Sequence, residues 1–189
     1  MASFSLTVSR PHDLPQDRTD RGLRNHIAPI IAAPVERLSA GQVDPDHQSA
    51  ARPIDAAFLL LQNSVRAHVG AQPLVWSDRL ADAAQQWANH LVTTGAFRHH
   101  VGGGYGENLY EIIGGKATPH DVVAAWADER RAYDLQTNSC SAGVDCGHYT
   151  QIVWATTHAV GCALAADPSR QIWVCEYYPA GNIIGYRPY

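Results

Sequence analysis

Residues 160–178 read Val160-Gly161-Cys162-Ala163-Leu164-Ala165-Ala166, then Asp167-Pro168-Ser169-Arg170, then Gln171-Ile172-Trp173-Val174-Cys175-Glu176-Tyr177-Tyr178. Two apolar runs separated by a turn-forming Asp-Pro-Ser-Arg segment predict an antiparallel hairpin with strands at 160–166 and 171–178. In the second run Trp173 and Cys175 alternate with Val174 and Glu176, so one face can pack against helices. The helical patterns all lie upstream. Helices first and antiparallel strands last predict α+β layering rather than a parallel sheet of βαβ units.

Working back from the hairpin, His148 to Trp154 predicts one short helix. A longer one starts at Thr118-Pro119-His120-Asp121, where Thr118 can cap, Pro119 suits the first helical position and Asp121 can complete a capping box. It is expected to run to Tyr133. Another is capped by Ser77, carries the stripe Leu80, Ala84, Trp87, Leu91 and stops at Gly95. The first has Phe58, Leu61, Val65 and Val69 at helical spacing and stops at Gly70.

Upstream of Pro53 the composition changes. Residues 1–53 hold six basic and six acidic side chains, six of the eleven prolines and one aromatic, Phe4. Such a segment lacks the apolar surface to offset its ordering entropy, so it is expected to be a largely disordered, Pro-rich extension. Its stretch Ile27 to Val35 follows Arg21 and Arg24, yet acidic residues precede it and Glu36-Arg37 follow, which does not make a convincing signal peptide. Residues 54–189 hold every Trp, Tyr and Cys and the whole net charge of −4. They are the expected folded domain, of common size. With 13 Arg, one Lys and that acidic balance, nucleic-acid binding is not expected, and no apolar run reaches the roughly 20 residues of a transmembrane helix.

Two groups of residues point to chemistry. Val122, Trp126 and Glu129 fall at i, i+4 and i+7, which puts a carboxylate on a buried stripe. Such a group needs a histidine, a metal, hydrogen-bond donors or a water-filled cleft; the competing reading is a solvated helix edge beside Arg130 and Arg131. The second group lies in segments read as loops: His99-His100, Gly102-Gly103-Gly104, Tyr105-Gly106-Glu107-Asn108 and Gly147-His148-Tyr149-Thr150-Gln151. Cys140, Cys146, Cys162 and Cys175 suit disulfides better than a metal cluster, and three pairings are open.

Four ordered motifs then carry a resemblance: Tyr105-Gly106-Glu107-Asn108-Leu109, Trp126-Ala127-Asp128-Glu129, Cys146-Gly147-His148-Tyr149-Thr150-Gln151-Ile152-Val153-Trp154 and Trp173-Val174-Cys175-Glu176-Tyr177-Tyr178-Pro179-Ala180-Gly181-Asn182. They resemble the CAP superfamily of cysteine-rich secretory proteins, antigen 5 and pathogenesis-related protein 1, and the ending Arg187-Pro188-Tyr189 is similar to the last of these branches. The resemblance implies an α-β-α sandwich with a small antiparallel sheet between helices. It implies bridges Cys140–Cys146 and Cys162–Cys175. It also implies a cavity of His100, Glu107, Glu129 and His148, able to hold zinc or another divalent cation through His100 and His148. No organic cofactor is expected.

The function implied is that of a secreted, noncatalytic protein binding sterols, fatty acids or other lipids in host interaction or defence. The lipid-contacting residues are unassigned, with 114–119 as a candidate loop. An extracellular location follows from the resemblance alone. Two alternatives stand beside it. One is a metal-assisted hydrolase using His100, Glu107, Glu129 and His148, although the sequence has no Gly-x-Ser-x-Gly elbow. The other is a precursor of a signalling peptide, Pro179 to Tyr189.

Overall fold

The computed structural model describes residues 52–189; the expected extension, 1–53, lies outside the described residues except for Arg52 and Pro53. Helix α1 (Pro53–Ala67) starts with Pro53 in the first turn, where its missing N–H leaves no helical bond unmade. Its buried face is not centred where hydrophobic spacing puts it. Asp55, Phe58, Gln62 and Arg66 point inward, while Leu61, Val65 and Val69 pack as half-buried flanks. The polar residues can occupy the centre because each has partners. Asp55 accepts from Arg52, Gln62 accepts from the Tyr177 hydroxyl at 2.9 Å, and Arg66 donates to four backbone carbonyls.

Strand β1 (Val75–Trp76) leads into α2 (Asp78–Thr94), which is capped by the Ser77 hydroxyl and stopped by Gly95 at φ 70°, as its sequence predicts. Strand β2 (Gly106–Ile113) runs through a segment read from sequence as a loop. Helix α3 (Pro119–Asp128) has the predicted capping box between Thr118 and Asp121. Its continuation tightens into a 3-10 turn, Glu129–Ala132, before the short hairpin β3 (Tyr133–Asp134) and β4 (Ser139–Cys140). Helix α4 (Gly147–Ile152), β5 (Ala159–Ala166) and β6 (Arg170–Tyr178) complete the domain.

The main sheet has the order β1-β5-β6-β2, with β5, β6 and β2 antiparallel and β1 added in parallel at one edge. Helices flank both faces. On one, Ala84, Ala88 and Leu91 of α2 meet Leu109, Ala163, Ile172 and Val174. On the other, Phe58, Val122, Trp126, Tyr149 and Ile152 of α1, α3 and α4 meet Cys162, Trp173, Cys175 and Tyr177. Gly161 brings α2 onto the sheet: a Cβ there would lie 2.1 Å from the Ala81 nitrogen.

Both disulfides implied by the resemblance are formed, Cys140–Cys146 and Cys162–Cys175, the second joining register partners on β5 and β6. Among the described residues no helix is long and apolar enough to cross a membrane.

Candidate functional site

Glu129 sits where α3 gives way to the 3-10 turn, and that change of pitch aims its carboxylate at the start of α4. Cys146, the residue at the N-cap of α4, makes no side-chain cap. Glu129 supplies it from a different element: Oε2 accepts the His148 N–H at 2.9 Å and the Tyr149 N–H at 3.2 Å. Oε1 lies 2.6 Å from His148 Nδ1. A carboxylate at a helix N-terminus meets both unpaired N–H groups and the positive end of the helix dipole. The stripe carboxylate thus finds a histidine and backbone donors. His148 in turn stacks on Trp126, with ring centroids 5.8 Å apart, and its carbonyl accepts from the Asn108 amide.

Glu107 is the second residue of β2. Its Oε1 lies 2.6 Å from Nδ1 of His99 and accepts the backbone N–H of His100 at 3.1 Å. The ring that reaches Glu107 therefore belongs to His99. The His100 ring instead stacks on Trp87 of α2 at 4.5 Å, and His90 also stacks on Trp87, at 4.8 Å. The Trp87 indole N–H donates to the Arg98 carbonyl, so the segment before β2 is strapped to α2.

Strand alternation separates the two histidine–carboxylate pairs. Asn108 faces the α4 side, as its bonds to the His148 carbonyl and the Tyr177 hydroxyl require. Glu107 and Leu109 therefore face α2, in agreement with the packing of Leu109 in the α2 core. Glu129 and His148 belong to the opposite layer. The expected cavity of His100, Glu107, Glu129 and His148 with a divalent cation is accordingly corrected: among the described residues no group of three or more His, Cys, Asp or Glu side chains is placed to hold a metal ion. His100 turns its ring onto Trp87, and His148 commits Nδ1 to Glu129. The donor set does not fit zinc held by His100 and His148, and no metal-assisted step follows from it.

Next to α4, Val65, His68, Ala127, Arg130 and Tyr149 line a cleft of about 180 Å³ between α1 and the end of α3. Burial foremost, then a hydrogen bond with Tyr189, holds the Tyr149 hydroxyl well above its usual pKa, so it stays protonated. The segment 114–119 is tied down by the Gly114 N–H to Ser169, the Ala117 N–H to Gln171 and the Thr118 cap. The C-terminal segment is also anchored. Gly181 donates to Gln151, Asn182 bonds Thr150 and Gly147, Asn138 donates to the Tyr186 carbonyl, and the Ala155 N–H donates to Pro188.

The structure gives prominence to two residues that the sequence does not single out, Arg66 and Glu176, and to His99 in place of His100 as the ring beside Glu107. Arg66 is fully buried and bonds the carbonyls of Gln72, Ile152, Trp154 and Thr157. Glu176 is buried opposite Glu107, and His99 takes the side-chain contact with Glu107. The available signal was a polar residue on an apolar period: Gln62 and Arg66 follow Phe58 at i+4 and i+8.

The model of the cysteine-rich secretory protein family (CAP) matches residues 59–177. Pathogenesis-related protein PR-1 of Medicago truncatula is 40% identical over 157 residues, covering 82% of this chain and 90% of its own. Pathogenesis-related protein PRMS of Zea mays is 42% identical over 137 residues, 70% of this chain and 80% of its own. Among solved structures, Schistosoma mansoni venom allergen-like protein 4 superposes with a TM-score of 0.60 at 25% identity, covering 73% of this chain and 94% of that one. NaASP2, solved with Zn2+, superposes at 0.59 and 22% identity over 75% of this chain and 88% of its own; at that distance the likeness is one of fold.

Proposed function

The chain belongs to the CAP, or cysteine-rich secretory protein, family, in its pathogenesis-related protein 1 branch, and from this premise we propose that it acts outside the cell by binding rather than by turnover. Two disulfides in one small domain suit an oxidising, extracellular setting. The relatives' names carry to it a role in the response to pathogens. The observation that supports binding over catalysis is the employment of Glu129 and His148: the carboxylate caps α4 and fixes the histidine ring, which is work of architecture.

Fatty acids are the ligand class favoured within the lipids that the resemblance implies. The cleft beside α4 has apolar walls in Val65 and Ala127, and Arg130 offers a carboxylate partner that a sterol does not need. Its volume suits a head group and the first part of a chain rather than a whole sterol. The test is capture of a labelled fatty acid and a labelled sterol by the purified full chain, run beside peptide and ester substrates. Capture of the fatty acid, weakened about tenfold (~1.4 kcal/mol) by Arg130→Ala, together with turnover no faster than a blank, is the expected result. Turnover above the blank that disappears in Glu129→Gln would overturn the proposal, as would failure to capture either lipid.

A further inference from the structure

Strands β2 and β6 set two carboxyl groups directly against each other. Glu107 and Glu176 are register partners, and direct cross-strand partners share a face with Cβ atoms about 5 Å apart. Both are withdrawn from water: 6% of the Glu107 side chain and 2% of Glu176 are exposed. Two ionised carboxylates at that separation repel, and burial strengthens the repulsion. Glu107 Oε1 is satisfied by the His99 ring and the His100 N–H. Glu107 Oε2 and Glu176 Oε1 find no donor in the backbone or side chains around them.

The surrounding charges do not supply one. Asp78, Arg79, Asp82 and His90 of α2 are exposed. β5 opposes Glu176 with Gly161, which has no side chain. Tyr177 alternates onto the other face, where it bonds Gln62 near Arg66, and Glu129 and His148 lie in that layer too. Two buried acceptor oxygens on facing carboxyl groups are reconciled by one proton, because a protonated carboxyl is itself a donor.

We infer that Glu107 and Glu176 share a single proton, and that this proton clasps the start of β2 to the end of β6. The shared proton makes the sheet acid-stabilised. Burial first, then the charge of Glu107, pushes Glu176 up to about 9. In the unfolded chain a glutamate titrates at about 4.3, so the folded chain holds this proton where the unfolded chain has released it. The stabilisation is complete in acid, declines as pH rises above the unfolded value, and is gone once pH passes the folded one. Loss of the proton leaves two buried charges where His99 reaches Glu107 from the segment before β2, so the segment strapped to Trp87 is the part that loosens.

The test is urea unfolding of the full chain across neutral and alkaline pH. Between about pH 6 and 8 the wild-type unfolding constant should rise about tenfold per pH unit more steeply than that of Glu176→Gln, which keeps the shape and donates an N–H in place of the proton. His99→Asn should retain the wild-type slope. Infrared spectroscopy of the unmutated chain should show a protonated carboxyl band at neutral pH that vanishes on alkaline titration, which gives an answer even if the variant fails to fold. No such band at neutral pH overturns the inference. So does a Glu176→Gln slope equal to the wild type, or a slope abolished by His99→Asn.

Discussion

Replacing Arg66 by Met should cost more than any surface change in this domain. The guanidinium is fully buried, and the whole fork is used: Nε donates to Gln72 at 2.6 Å, one terminal nitrogen to Ile152 and Trp154 at 2.7 and 2.9 Å, the other to Thr157 at 3.0 Å. Ile152 ends α4, so the cation also meets the negative end of that helix. Burial, only partly opposed by Tyr177, lowers the Arg66 pKa. Met keeps the aliphatic packing and relieves the buried charge, but deprives the Gln72, Ile152 and Thr157 carbonyls of this donor, while the Trp154 carbonyl keeps the Thr157 N–H. At about 1 kcal/mol for each of three acceptors, the low end for a group deprived of its donor, the loss is about 3 kcal/mol. For a domain of this size that is roughly 12 °C in Tm. Lys retains charge but not the planar fork, and should recover less than half. Urea unfolding followed by circular dichroism reads the change as a shifted midpoint at unchanged slope. A Met variant within about 1 kcal/mol of the wild type, or a Lys variant equal to it, would refute the reasoning.

Two further substitutions probe the site's framework. Glu129→Ala removes the cap of α4 and the His148 partner together, with an expected loss of about 2 kcal/mol in chemical unfolding, whereas Glu129→Gln keeps an acceptor and should lose about half as much. Gly161→Ala drives a methyl into backbone at the start of α2, since a Cβ would lie 2.1 Å from the Ala81 nitrogen and 2.6 Å from the Leu80 carbonyl carbon; thermal unfolding should show a loss of about 3 kcal/mol.

Local signals carried much of this fold. Ser77 and Gly95 bound α2, and Thr118-Pro119-His120-Asp121 opens α3, because capping chemistry is read within a few residues. The hairpin of β5 and β6 was legible for the same reason. Strand β2 was not: Glu107 and Asn108 look like loop residues, and only pairing with β6 buries them on opposite faces. The face of α1 was displaced because Gln62 and Arg66 are satisfied by groups far away in sequence, the Tyr177 hydroxyl and the carbonyls at and beyond the end of α4. Spacing does not give the partners of the candidate residues either. Whether His99 or His100 turns toward Glu107 depends on the path of the preceding loop and its strap to Trp87, which spacing does not encode. The metal expectation failed on the same point, since proximity of four motifs in a family pattern does not say which face of the sheet each side chain takes.

The most direct test of the two separate histidine–carboxylate pairs is thermal unfolding of the full chain in zinc and in chelator. A site with a dissociation constant a hundredfold below the free zinc concentration would add about 2.7 kcal/mol, a shift of roughly 10 °C. With the His100 ring on Trp87 and His148 held by Glu129, the Tm should be the same in both conditions. A zinc-dependent rise that is abolished by His100→Ala or His148→Ala would contradict the account.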